Sequence, residues 1–162
     1  LNFWAAISSP YGIAGGIAAV ILGAGGLLTE IGPWYRSLNK PSWQPPDWLF
    51  GPAWTLIFGF AAWGAGLAWK LAPSDSWRTI MVVLFLVNGA LNIVWSLLFF
   101  KLRRPDWALI EVAALWLSIV VLIVYVGGVT SQGALLLVPY LLWVSFASYL
   151  NRTIVRLNGS FA

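Results

Sequence analysis

Charge is missing from this chain over four long stretches, and that absence decides its fold class. Residues 1–29, 48–69, 79–100 and 112–151 contain no Asp, Glu, Lys or Arg. A helix crossing a hydrocarbon core of about 30 Å needs roughly 20 apolar residues. Each of the first three stretches suffices for one crossing. The last is long enough for two, and Gly127-Gly128-Val129-Thr130-Ser131-Gln132-Gly133 in its middle is a turn signal. Backbone polar groups in lipid must be satisfied within their own segment, which selects helices. We read an all-α integral membrane bundle of five transmembrane helices, at about 11–29, 51–70, 78–101, 107–126 and 134–156. Together they form one domain over residues 1–162. The competing division, four spans behind a cleaved leader, asks for a basic n-region, and residues 1–10 hold no Lys or Arg. Only 9% of residues are charged, against roughly 25% in soluble domains, so neither a soluble enzyme nor a disordered chain fits.

Five spans put the two termini on opposite sides. Arg36 and Lys40, then Lys101, Arg103 and Arg104, then Arg152 and Arg156 fall at one end of the bundle. Lys70 and Arg78 fall at the other. The positive-inside rule then places the first loop and the C-terminus in the cytoplasm. Helical spans alone do not say which membrane is crossed. The net charge of +4 reads as this topology signal. It is not a clustered basic face, so no nucleic-acid partner is expected.

The chain has twelve Trp and no Cys or His. Disulfides, zinc sites, Cys or Ser/His nucleophile pairs and His or Cys haem ligands are therefore excluded. No metal site is expected and no cofactor is required.

The segment Trp34 to Trp48 interleaves aromatics with Pro41, Pro45 and Pro46. Proline fixes φ, removes a donor and pushes its predecessor to extended conformations. The segment is expected to be non-helical, a stiff loop over 30–50. It serves either as an interfacial aromatic belt or as a lid over a cavity. Stiffness favours a lid, because less entropy is lost on closure.

Two spans carry polar stripes. Asn88, Asn92 and Ser96 recur every four residues beside Trp95, and amides at membrane depth must face inward. They serve interhelical hydrogen bonding or a cavity wall. Tyr140, Trp143, Ala147 and Asn151 share a face of the last span, with the small Ala147 leaving room. Pro139 is expected in the first turns of that span, where proline is best tolerated. Gly12 and Gly16 form a G-x-x-x-G that permits close helix approach. Glu111 is the one carboxylate well inside a span, and its shallow position suggests snorkelling to the headgroups. A weak sterol pattern runs through Val144, Tyr149 and Arg152.

Several blocks together resemble the TspO/MBR family, which spans bacterial tryptophan-rich sensory proteins and mitochondrial benzodiazepine receptors. They are Trp34-Tyr35, Asn39-Lys40-Pro41-Ser42-Trp43, Pro45-Pro46-Asp47-Trp48 and Gly51-Pro52-Ala53-Trp54. Asn88 to Asn92 with Trp95 and Phe99-Phe100 agree, as do Val138-Pro139-Tyr140, Trp143, Phe146-Ala147 and Leu150-Asn151. The resemblance implies a five-helix homodimer in the lipid bilayer with a cavity near the first loop. It implies binding of porphyrins, notably protoporphyrin IX, and of sterols or benzodiazepine-type ligands, for tetrapyrrole transport, sensing or stress regulation. By position it implies pocket residues Tyr35, Pro45, Trp54, Asn92, Trp95, Trp143 and Ala147, to which the polar stripes add Asn88 and Tyr140. Where mitochondrial members carry the tyrosine of their cholesterol segment, this chain has Arg152, and Tyr149 is the nearest tyrosine. Some bacterial members are proposed to degrade porphyrin in light and oxygen; here Trp54 and Trp143 would be the catalytic rings. A structural scaffold that binds neither porphyrin nor sterol is the third alternative. With no His or Cys, haem iron would need Tyr or Met81, so metal-free porphyrin is the expected ligand. Arg36 or Lys40 would meet its propionates.

Overall fold

A computed structural model describes residues 3–159 and 161. Seven helices follow in order: α1 Phe3–Ile7, α2 Pro10–Leu28, α3 Pro33–Ser37, α4 Asp47–Leu71, α5 Asp75–Ser96, α6 Pro105–Gly127 and α7 Ser131–Asn158. A π-helical stretch, Leu97–Lys101, prolongs α5. Five of these units, α2, α4, extended α5, α6 and α7, are long and apolar enough to cross a membrane. The five-span all-α reading holds.

Local chemistry explains the boundaries. Ser9, Ser74 and Thr130 cap α2, α5 and α7 by accepting from the N–H three residues on. Pro10, Pro33 and Pro105 occupy first-turn positions, where the missing N–H has no partner to lose. Pro33 corrects one expectation. Residues 33–37 form a helical turn within a segment expected to be non-helical throughout, because a proline at the first helical position has no hydrogen bond to lose. α4 starts at Asp47, with the extended Pro46 as its N-cap. Pro139 differs too: α7 begins at Ser131, so the proline stands inside the helix.

The five long helices form a closed ring in the order α2, α4, α7, α6, α5. Two glycines mark where the ring is tight. A Cβ on Gly64 would press on the backbone carbonyl of Gly133, joining α4 to α7, and one on Gly89 would run into Ile21, joining α5 to α2. The densest core lies at the α6–α7 side, where Ile119, Leu122, Val126 and Leu137 are fully buried. By contrast, α2 buries only Gly25, so space remains between α2 and the rest of the ring.

The ends of the bundle sort as the charge pattern requires. Lys101 Nζ bonds Glu30 Oε1 at 2.9 Å, and the bridge and its cation hold the Glu30 carboxyl below its usual range. The Asn39 N–H donates to Asn158 Oδ1 at 2.8 Å, and Asn158 Nδ2 donates to the Asn39 carbonyl at 2.9 Å. The first loop, the α5–α6 turn and the end of α7 thus share one end.

Candidate functional site

At that end the ring borders a partly open cavity of about 300 Å³. Its walls come from α2, α4, α5 and α7, with Tyr35 of α3 at the loop side. Rings dominate. Trp54 packs edge-on against Trp143 at 6.4 Å and Tyr140 at 5.9 Å, and stacks on Phe58 at 5.6 Å. Trp95 stacks on Phe99 at 5.2 Å. The wider π-helical turn presents the consecutive Phe99 and Phe100 to the same cavity, centroids 4.8 Å apart. Such turns recur at functional sites for this reason.

Two polar atoms in this wall stand out. The indole N–H groups of Trp95 and Trp143 are buried and have no hydrogen-bond partner among the described residues. A buried unpaired donor costs about 1–3 kcal/mol. Both residues line the cavity.

The floor is a polar septum across three helices. Asn92 Nδ2 donates to the Tyr140 hydroxyl (3.4 Å), which donates to Asn88 Oδ1 (3.1 Å). Asn88 Nδ2 donates to Ser118 Oγ (2.8 Å), which donates to the Leu115 carbonyl (2.7 Å). A second cavity, of about 400 Å³, lies on the other side of this septum.

The roof is the first loop. Tyr35 is 5% exposed; its hydroxyl donates to Asp47 Oδ1 at 3.2 Å and accepts from Gln44 Nε2 at 3.1 Å. Burial, and next the Asp47 carboxylate, push the phenol up to about 12. Lys40 Nζ sits 3.9 Å over the Tyr35 ring. Trp43 stacks on Tyr149 at 5.3 Å and meets Phe146 edge-on at 6.0 Å. Ring contacts and the paired Asn39–Asn158 bonds thus fasten the loop to α7.

Of the residues expected from sequence, Tyr35, Trp54, Asn92, Trp95, Trp143 and Ala147 line this first cavity. Asn88 and Tyr140 belong to the septum and face the second cavity, and Pro45 lines neither. The sterol-pattern residues do not converge: Val144 is buried and Tyr149 is exposed. Met81 lines the second cavity, away from the rings. Asn151 is structural as well as lining. With its amide oriented to satisfy both groups, it donates to the Pro105 carbonyl (3.0 Å) and accepts from the Leu109 N–H (3.2 Å), anchoring the first turn of α6. Glu111 does not snorkel. Both its carboxylate oxygens are enclosed with no hydrogen-bond partner among the described residues; it stands two turns before Ser118, which bonds Asn88 of α5.

The sequence missed α2. Gly25, Gly26 and Thr29 line the cavity opposite Asn92 and Ser96. A Cβ on Gly25 would stand in van der Waals contact with Ser96 Oγ (3.7 Å) and Asn92 Oδ1 (3.9 Å), so the glycine brings α2 close to the polar face of α5. The adjacent pair Gly25-Gly26, one turn before Thr29, was the available signal.

Comparison with known proteins agrees with the geometry. The model of the TspO/MBR family matches residues 13–157. The chain is 45% identical over 129 residues to "Tryptophan-rich protein TspO" of Chlorobaculum tepidum, covering 77% of this chain and 79% of that one. It is 38% identical over 151 residues to the protein of the same name from Archaeoglobus fulgidus, covering 91% and 96%. It is 35% identical over 127 residues to "Translocator protein" of Homo sapiens, covering 77% and 75%.

Proposed function

The chain belongs to the TspO/MBR family, and from that premise we propose that its loop-side cavity binds a flat, conjugated, largely apolar ligand of the porphyrin class, protoporphyrin IX foremost. The two unpartnered indole N–H groups in an aromatic wall carry this reading. Ring stacking supplies area and orientation, about 0.5–1.5 kcal/mol per ring pair beyond burial. A turn of the Trp95 or Trp143 indole would offer a donor that no described residue occupies. A porphyrin gives both at once, with faces for the rings and propionate oxygens as acceptors on one edge. Lys40 at the roof suits a propionate at the mouth. Among the described lining residues there is no Met, His or Cys, and the hydroxyl of the lining tyrosine, Tyr35, is committed to Asp47 and Gln44, which favours the metal-free porphyrin over haem. The protein would serve as a binding, transport or sensing device for tetrapyrroles, as a homodimer with the first loop and C-terminus cytoplasmic. Sterols and benzodiazepine-type ligands suit the same apolar walls.

The test is quenching of Trp fluorescence by protoporphyrin IX in the parent and in Trp143→Ala. Saturable quenching, weakened by the substitution, supports the reading; no saturable quenching sinks it. Parallel absorbance titrations with haem test the metal preference, and clearly tighter haem binding contradicts it.

One observation favours a second reading. Trp54 and Trp143 stand ring to ring inside the cavity, where a bound porphyrin excited by light in the presence of dioxygen would meet both. Loss of the porphyrin spectrum under light and oxygen, abolished in Trp54→Phe or Trp143→Phe, would establish degradation. A spectrum unchanged by irradiation excludes it.

A further inference from the structure

We propose that the second cavity is a lipid site, holding one acyl chain of an anionic phospholipid with its phosphate at Lys70. This does not rest on the porphyrin reading, since the two cavities lie on opposite sides of the septum.

The cavity owes its volume of about 400 Å³ to small side chains. Ala14 and Ala18 of α2 face Ala61, Ala62 and Ala65 of α4 across it. Its deep end is Asn88 and Tyr140, already bonded to each other. The remaining wall is almost wholly apolar, so water inside would lack the two to four polar partners it needs. The side of the cavity is open. Ile13, Ile17 and Leu86 border it from α2 and α5 and are 56%, 38% and 49% exposed. In a bilayer that opening faces hydrocarbon, and a lipid chain is the apolar material at hand.

The dimensions suit one leaflet. Along α4 the cavity runs from Phe58 to Trp69, about 16 Å of helix at 1.5 Å per residue. Half of a hydrocarbon core about 30 Å thick is about 15 Å. A chain entering at the membrane surface therefore ends near the septum.

The rim supplies the charge. Two basic residues mark this end of the bundle. Arg78 is committed to Asp75 at 2.6 Å and to the Trp69 carbonyl at 3.2 Å. Lys70 has no ion pair among the described residues; its Nζ lies 4.6 Å over the ring of Tyr11, next to the rim residue Trp69. An ammonium at headgroup level beside an apolar slot is the chemistry that selects an anionic lipid.

The experiment uses the full chain in bilayer nanodiscs containing trace phosphatidylglycerol or phosphatidylcholine. Both carry the same acyl chain, with a photoreactive diazirine near its end. Labelled peptides are mapped by mass spectrometry. Adducts should concentrate at Phe58, Ala61 and Phe85 near the septum, at least fivefold above the outward-facing Leu142 and Leu117 at similar depth, and phosphatidylglycerol should label more than phosphatidylcholine. Ala62→Phe, which fills the slot, should cut these adducts at least fivefold. Lys70→Gln should bring the two lipids level while labelling persists. Ala18→Phe is the second slot-filling variant, and each variant is checked for folding by circular dichroism and monodisperse elution. Adducts spread evenly over the outer surface, or undiminished in folded Ala62→Phe or Ala18→Phe, overturn the site. Equal labelling by both lipids in the parent overturns the role of Lys70.

Discussion

The two cavities share one bundle and one septum, yet they differ in the balance of rings and small aliphatic side chains. The loop-side cavity is walled mainly by rings, holds two buried indole donors with no partner among the described residues, and is roofed by a segment fastened to α7. The far cavity sets five alanines and three isoleucines beside Phe58, Trp69, Phe85 and Tyr140, and has no such donors among the described residues. Large rigid rings fix the position of a flat molecule at low entropic cost. Small aliphatic side chains leave room without imposing orientation, which suits a flexible chain. Tyr140 is the hinge of this contrast, since its ring packs on Trp54 while its hydroxyl bonds the amides that close off the other side.

Perturbing each region separately sharpens the contrast. The largest effect is expected from Trp143→Ala, which removes a stacking face, a donor and contacts to Phe50, Trp54 and Phe146. Protoporphyrin IX should bind about 10- to 100-fold more weakly, about 1.4–2.8 kcal/mol, by fluorescence titration. Next comes Tyr35 at the roof. Its phenol is raised from an unfolded value of about 10 to about 12. A raised phenol pKa means that the folded state favours the neutral form. That stability is complete below about pH 10 and is lost as pH climbs towards 12, on the order of 2 kcal/mol in all. The stability advantage of the parent over Tyr35→Phe, measured by thermal unfolding in detergent, should shrink across that window; an advantage constant from pH 9 to 12 contradicts it.

Tyr140→Phe tests the septum. It strips a partner from Asn88 Oδ1 and Asn92 Nδ2, which should cost about 1–2 kcal/mol and lower Tm by about 2–8 °C. Unlike the other variants it should disturb both cavities. The smallest effect is expected from Asn158→Ala, which unfastens Asn39. A loss of about 1 kcal/mol should speed porphyrin release roughly fivefold in stopped-flow measurements and lower Tm by about 2–4 °C.

How far the sequence foretold this follows from the kind of signal each part carries. The spans were legible because charge is costly in hydrocarbon, so Arg78, Lys101 and Arg152 mark their ends. The aromatic wall was legible because Trp54, Trp95 and Trp143 sit beside polar residues at helical spacing. The septum was not. Asn88 and Asn92 lie on one helical face, and periodicity cannot say that Tyr140 closes the space between them and divides it in two. Nor could the contribution of α2 be read, since Gly25 acts by close approach and Ala14 by leaving volume, and both are properties of what stands opposite. The helical turn at Pro33–Ser37 escaped because prolines were read as breakers, although the first helical position favours them.

The most direct measurement of the central claim crosses the two regions. Porphyrin affinity and acyl-chain labelling are recorded on the same preparations of the parent, Trp143→Ala and Ala62→Phe. Two independent sites predict a crossed pattern: Trp143→Ala loses porphyrin and keeps the lipid adducts, while Ala62→Phe loses the adducts and keeps porphyrin within about twofold. If either folded variant abolishes both signals together, or neither signal moves, the division of the bundle into two sites of different chemistry is wrong.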